Sequence, residues 1–128
     1  MVKESDVVVE NFRVDVKHRL KVDYDSVKQI NPAIVYASIS GFGQTGPYSK
    51  RPAVDPVIQA IRGLKSITGE PGKGPMQAGI ALSVTYAGMF FVQGFVVALL
   101  HRVQTGEGQW VPTSLLPANA SHVDGTVA

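Results

Sequence analysis

The chain has no cysteine among its 128 residues. That excludes disulfides and thiolate metal sites. Histidine is scarce: His18, His101 and His122 are scattered without ligand spacing, so no metal is expected. An excess of one charge is also lacking. Twelve basic and ten acidic residues leave a net charge of +2, and Lys and Arg never exceed two in a row, so nucleic acid is not an expected partner. The segment Met1-Val-Lys-Glu-Ser-Asp6 has no apolar h-region, so no signal peptide is read and a cytoplasmic location is expected. Internal repeats, a Ser-His-Asp arrangement and a Walker loop are absent as well. What remains is 45% hydrophobic and 17% charged, the balance of one packed globular domain rather than a disordered chain.

The pattern of elements predicts an α/β layer arrangement of order β-α-α-β-α-α-β. Val7-Val8-Val9 reads as a short buried strand ending near Glu10-Asn11, and Arg13 to Leu20 as a brief helix. Asp25 or Ser26 can N-cap a second helix, with Val27 and Ile30 inward and Asn31-Pro32 as its stop. Ile34 to Ser40 is the clearest strand, β-branched and nearly all apolar, as in a parallel sheet covered on both faces. Asp55-Pro56 reads as N-cap and first residue of a third helix carrying Val57, Ile61 and Leu64, with Gly69 as its stop. A long apolar helix follows from Leu82 to Val103, then a turn over Thr105–Gly108 and a strand at Gln109–Val111 that Pro112 interrupts. The segment 117–128, with Pro117, Asn119 and Gly125, has little apolar periodicity and is expected to fray. A sheet of three strands leaves edges that another chain or segment has to cover.

Three features invite a functional reading. Gly41-Phe-Gly43-Gln-Thr-Gly46 matches G-x-G-x-x-G after a strand, but no helix opens behind it, because Pro47 and Pro52 bracket the next residues. No acidic residue ends a second strand where ribose binding needs one, so a plain glycine loop is expected. From Gly74 to His101 there is no charged side chain, and Ile80–Leu100 is long enough to span a bilayer. The soluble alternative is a core helix whose small residues Ala87, Gly94 and Ala98 allow close packing, a face that suits either setting. Arg13, Lys17, Arg19 and Lys21 form a mildly basic patch, either a solvated face or a phosphate site. Trp110 and Phe90-Phe91 read as core.

Several blocks, in order and nearly without gaps over residues 5–116, resemble CoA-transferase family III, the group that includes formyl-CoA and carnitine CoA-transferases. They are Asp6-Val-Val-Val-Glu-Asn-Phe12, Asn31-Pro32, Ala37-Ser-Ile-Ser-Gly-Phe-Gly-Gln-Thr-Gly-Pro-Tyr48, Arg51-Pro52, Gly63-Leu-Lys-Ser-Ile-Thr-Gly-Glu-Pro71, Gly79-Ile-Ala-Leu-Ser-Val84-Thr-Tyr-Ala-Gly88, Ala98-Leu-Leu-His-Arg102 and Thr105-Gly-Glu-Gly-Gln-Trp-Val111. The resemblance implies a partial Rossmann-like large domain over residues 1–116, with coenzyme A or acyl-CoA as substrate. It also implies a partner, because family members are longer and form interlocked dimers: the chain itself or a full-length homologue.

In the family an aspartate carboxylate attacks the donor thioester and gives a mixed anhydride and CoA thiolate; the thiolate returns to form an enzyme-bound thioester, and an acceptor carboxylate reverses the cycle. Val84 stands at the aspartate's position, and an isopropyl group is no nucleophile. No other residue is expected to be catalytic; Asp55, an acidic neighbour in the pattern, is more readily a cap. Val54 occupies the position where transferases often have tyrosine and the related racemases histidine. The resemblance places Asn11 and Phe12 near CoA and Arg19 at its phosphate-bearing end, with Arg51 and Lys50 close to a further basic contact. The expectation is thus a truncated, diverged family member, inactive as this chain. The alternatives are a non-catalytic module that binds CoA or a homologue, and a protein inserted in a membrane through Ile80–Leu100.

Overall fold

The structure, a computed structural model, describes residues 1–123. Three parallel strands form the sheet in the order β1-β2-β3: β1 is Val7–Glu10, β2 Val35–Ser40 and β3 Trp110–Ser114. Their register pairs Val7 with Val35 and Tyr36 with Trp110. The central strand is apolar on both sides because both faces of the sheet are covered; Val35, Tyr36 and Ala37 are completely buried. Helices α1 (Val14–Leu20) and α2 (Tyr24–Ile30) connect β1 to β2, and α3 (Asp55–Ile61) and α4 (Leu82–Thr105) connect β2 to β3. The alternation of side chains along each strand sorts the faces. On one, Tyr24 of α2 lies 5.9 Å from both the Tyr36 and the Trp110 rings. On the other, α4 packs through its small residues, with Ala87 and Ala98 fully buried.

Gly94 shows how close that second contact is. A Cβ built there would lie 2.8 Å from Val111 Cγ1, so a side chain larger than hydrogen pushes α4 off β3. Gly94→Leu is expected to cost roughly 1–3 kcal/mol by overpacking. Gly94→Ala should cost less, since alanine is favoured in a helix by about 1 kcal/mol. Urea unfolding of both variants checks this; a Gly94→Leu midpoint equal to the parent's contradicts the packing.

Several elements differ from the sequence expectation. The N-cap of α2 is Asp23, not Asp25 or Ser26; its carboxylate accepts the Ser26 amide at 3.2 Å and the Ser26 hydroxyl at 2.9 Å. Burial pushes the Asp23 carboxyl up, but hydrogen bonds from Ser26 and its own backbone, with His18 nearby, hold it below its ordinary value. Helix α3 stops at Ile61, because Gly63 turns left-handed (φ 78°) and Leu64–Ser66 forms a separate 3-10 turn. Pro112 does not interrupt β3. Tyr36 donates to the Gln109 carbonyl at 2.9 Å, so odd-numbered residues of this edge strand face the ladder and Pro112 faces away. The expected fray beyond Pro117 does not describe residues 117–123. They continue helix α5 (Leu115–Val123), whose first turn tolerates Pro117 because the amides there have no intrahelical partner. Residues 124–128 lie outside the described residues.

Candidate active site

Strands β1, β2 and β3 run the same way, so the segments that follow them leave one edge of the sheet. Asn11–Arg13 follows β1, Gly41–Val54 follows β2 and α5 follows β3. Helix α4 ends next to the start of β3, so it runs back along the sheet and begins at that same carboxyl edge. In open parallel α/β sheets this edge is where ligands bind.

The structure thus brings Asn11, Phe12, the loop bearing Arg51, Asp55 and Val84 to one edge. Asn11 and Phe12 are exposed at the end of β1. Arg19 lies in the last turn of α1, also exposed, and forms no ion pair among the described residues. It lies about 7.5 Å of helix rise beyond Val14, the first residue of α1. Arg51 stacks on Tyr48, 4.6 Å from the ring centroid, and Lys50 beside it is exposed. The loop that carries them is closed at its base by Gly41 and Ala53, where any side chain at Gly41 would fall 2.1 Å from Ala53 Cβ. Gly43-Gln-Thr-Gly46 stays a loop with no helix opening behind it, so the dinucleotide pattern has no helix terminus to offer a pyrophosphate.

Val84 is the third residue of α4 and its side chain is half exposed, at 47%. Its backbone amide is held by Asp55, whose Oδ1 accepts it at 3.1 Å. Asp55 is therefore not the cap of its own helix. The N-cap of α3 is Val54, and Asp55 instead supplies an acceptor to the first turn of α4, whose own N-cap Ala81 has none. The carboxylate is 7% exposed, and Oδ2 takes a hydrogen bond from the Gln59 amide. Gln59, fully buried, also donates to the Ile80 carbonyl at 3.2 Å and accepts the Ala78 amide at 3.1 Å. Asp55 and Gln59 thus dock the approach to α4 on α3. Val54, at the position next to Asp55, is 59% exposed.

The sequence reading missed Gln59, and it placed Lys17 in a solvated basic patch. Lys17 is 2% exposed and pairs with Glu10 at 3.1 Å. The signal available was its spacing: Val14, Lys17 and Lys21 fall three and four residues apart, so one face of α1 had to carry a lysine inward if Val14 faced the sheet.

The architecture defines a parallel α/β layer protein with its candidate site at the carboxyl edge of the sheet, against the first turn of a long crossover helix. The sequence model of CoA-transferase family III matches residues 1–128, and the chain belongs to that family. It is 40% identical over 121 residues to succinate–glutarate CoA-transferase of Agrobacterium fabrum, a match covering 94% of this chain and 30% of that protein. It is 41% identical over 129 residues to acetyl-CoA:oxalate CoA-transferase of Acetobacter aceti, covering 100% of this chain and 31% of that protein. Among solved structures, a CaiB/BaiF family protein from Brucella suis superposes with a TM-score of 0.91 at 38% identity, over 96% of this chain and 32% of that one. The chain spans about a third of the length of the curated relatives it matches.

Proposed function

We propose that residues 1–116 form the CoA-facing part of the large domain of a CoA-transferase, and that with Val84 the chain has no transferase turnover of its own. The observation that carries this is the place of position 84. It lies half exposed on the first turn of α4, at the same carboxyl edge that the segments bearing Asn11, Phe12 and Arg51 leave. A carboxylate there would be accessible to a thioester; a valine offers no lone pair to attack it. Asp55 does not substitute, because both its oxygens already accept hydrogen bonds in a buried setting. Attack also requires reacting atoms aligned at about 3–3.5 Å.

Two measurements test the reading. Assays with formyl-, succinyl- and carnitinyl-CoA donors should stay at background with this chain; rates well above it contradict the inactive reading. Calorimetric titration with CoA should show binding that weakens by about tenfold in Arg19→Ala, the loss of one charge-assisted phosphate contact. No heat at millimolar CoA removes the binding role.

A second reading, association with a second copy or a full-length homologue, is favoured by the outer face of α4. Met89, Val92, Val96, Val97, Leu100 and Val103 are all exposed there, Val103 at 83%. Such an apolar stripe on a crossover helix marks an interface. By length and composition α4 is also apolar enough to cross a bilayer. The membrane reading loses support because α4 joins two strands of one sheet and lies along it, whereas a spanning helix would put β2 and β3 on opposite sides.

A further inference from the structure

One buried charge cluster has no part in the family's chemistry as set out above. Lys17 and Glu10 are both buried, and an ion pair out of water is weak evidence for stability, since an apolar pair of similar volume is often as stable. What the pair does is connect. Glu10 ends β1; its Oε1 takes the Lys17 ammonium at 3.1 Å and its Oε2 takes the Phe12 backbone amide at 2.7 Å. The ammonium also donates to Gln44 Oε1 and lies 5.3 Å over the Trp110 ring. Gln44 in turn donates to Ser40 Oγ at 3.3 Å. A single ammonium thereby ties together the turn after β1, helix α1 and the glycine loop after β2.

We propose that Glu10 and Lys17 are positioning residues, which fix the Asn11–Phe12 turn and the Gly41–Gly46 loop against each other and so shape the edge that receives the nucleotide end of CoA. The ligand half of this rests on the CoA reading given above; the geometric half does not. Neither side chain touches CoA in this scheme. They act through the Phe12 amide and through Gln44.

The test is the double variant Glu10→Leu/Lys17→Met in the whole chain, which removes both charges and keeps apolar volume, so no lone buried charge unfolds the domain. Its circular dichroism and melting should stay close to the parent's. Amide exchange at Phe12, read by NMR, should quicken by about tenfold or more once the charged acceptor is gone. CoA should bind about tenfold more weakly by calorimetry. Arg19→Ala is the control: it should weaken CoA while leaving Phe12 exchange unchanged. Unchanged Phe12 exchange in a folded double variant overturns the positioning role, and so does CoA affinity equal to the parent's. Should the parent itself give no heat with CoA, the CoA reading and the ligand half fall together, and Phe12 exchange alone decides the geometric half. If the double variant does not fold, Glu10→Gln/Lys17→Met is read the same way: it also leaves no lone buried charge, a neutral side-chain amide replaces the carboxylate that accepts the Phe12 amide, Phe12 exchange must still quicken, and its constancy overturns the role.

Discussion

Placing aspartate at Val84 within a full-length family scaffold that carries this segment is expected to raise transferase turnover by about 10³-fold or more over the Val form, the scale on which removing a covalent nucleophile acts. Position 84 is the third residue of a 24-residue helix. There the helix dipole favours a carboxylate by about 0.3–1 kcal/mol, and the half-exposed side chain can reach a bound thioester. One local feature opposes it. Asp55 Oδ1 already lies 3.1 Å from the backbone nitrogen of residue 84, so the new carboxylate enters beside a like charge. Like charge raises the proton affinity of the newcomer. The check has two parts: steady-state transfer between donor and acceptor acids, and mass spectrometry of the peptide containing residue 84 for an acyl or CoA adduct. Val84→Asn is the control, with the shape of aspartate and no nucleophilic carboxylate. Turnover in the Val form equal to that of the Asp form would remove the positional argument, as would an adduct on any other side chain.

Asp55→Ala is expected to destabilise the chain by roughly 2–4 kcal/mol, because it strips an acceptor from a buried donor and a part-buried donor at once. The Val84 amide loses its side-chain acceptor, and the Gln59 amide loses one of the two partners it has among the described residues. For a domain of this size that corresponds to a fall in Tm of about 6–15 °C. Asp55→Asn should not fully rescue. An asparagine can still accept from Val84, but its amide then faces the Gln59 amide, donor against donor. Turning Gln59 over would break its bond from Ala78. Differential scanning calorimetry of both variants decides this. An Asp55→Ala protein that melts with the parent would show that the first turn of α4 is held by something other than Asp55.

Several structural features were legible from local pattern. Val35-Tyr36-Ala37 reads as a strand covered on both faces, because β-branched and aromatic residues in an unbroken run have no solvent side. The small residues Ala87, Gly94 and Ala98 recur at helical spacing; Ala87 and Ala98 are fully buried and Gly94 lies against Val111 of β3. Other features were not. Asp55 before Pro56 has the sequence of a helix cap, yet its carboxylate serves a helix 29 residues away. Pro112 and Pro117 are breakers by rule; each is tolerated because its missing N–H falls where no partner exists, at a sheet edge and in a first helical turn. Lys17 looks solvated by composition and is buried because Glu10 and Gln44 wait for it.

The amino-acid order alone determined the α/β layering, the crossover helix and the family, since each depends on residue type and short-range spacing. Only the folded chain decided which polar groups distant in sequence meet: Asp55 with Val84, and Lys17 with Gln44. The physical reason is distance along the chain. A buried charge must find its partners wherever the strands and helices bring them, and no spacing rule encodes a contact between residues 27 or 29 positions apart.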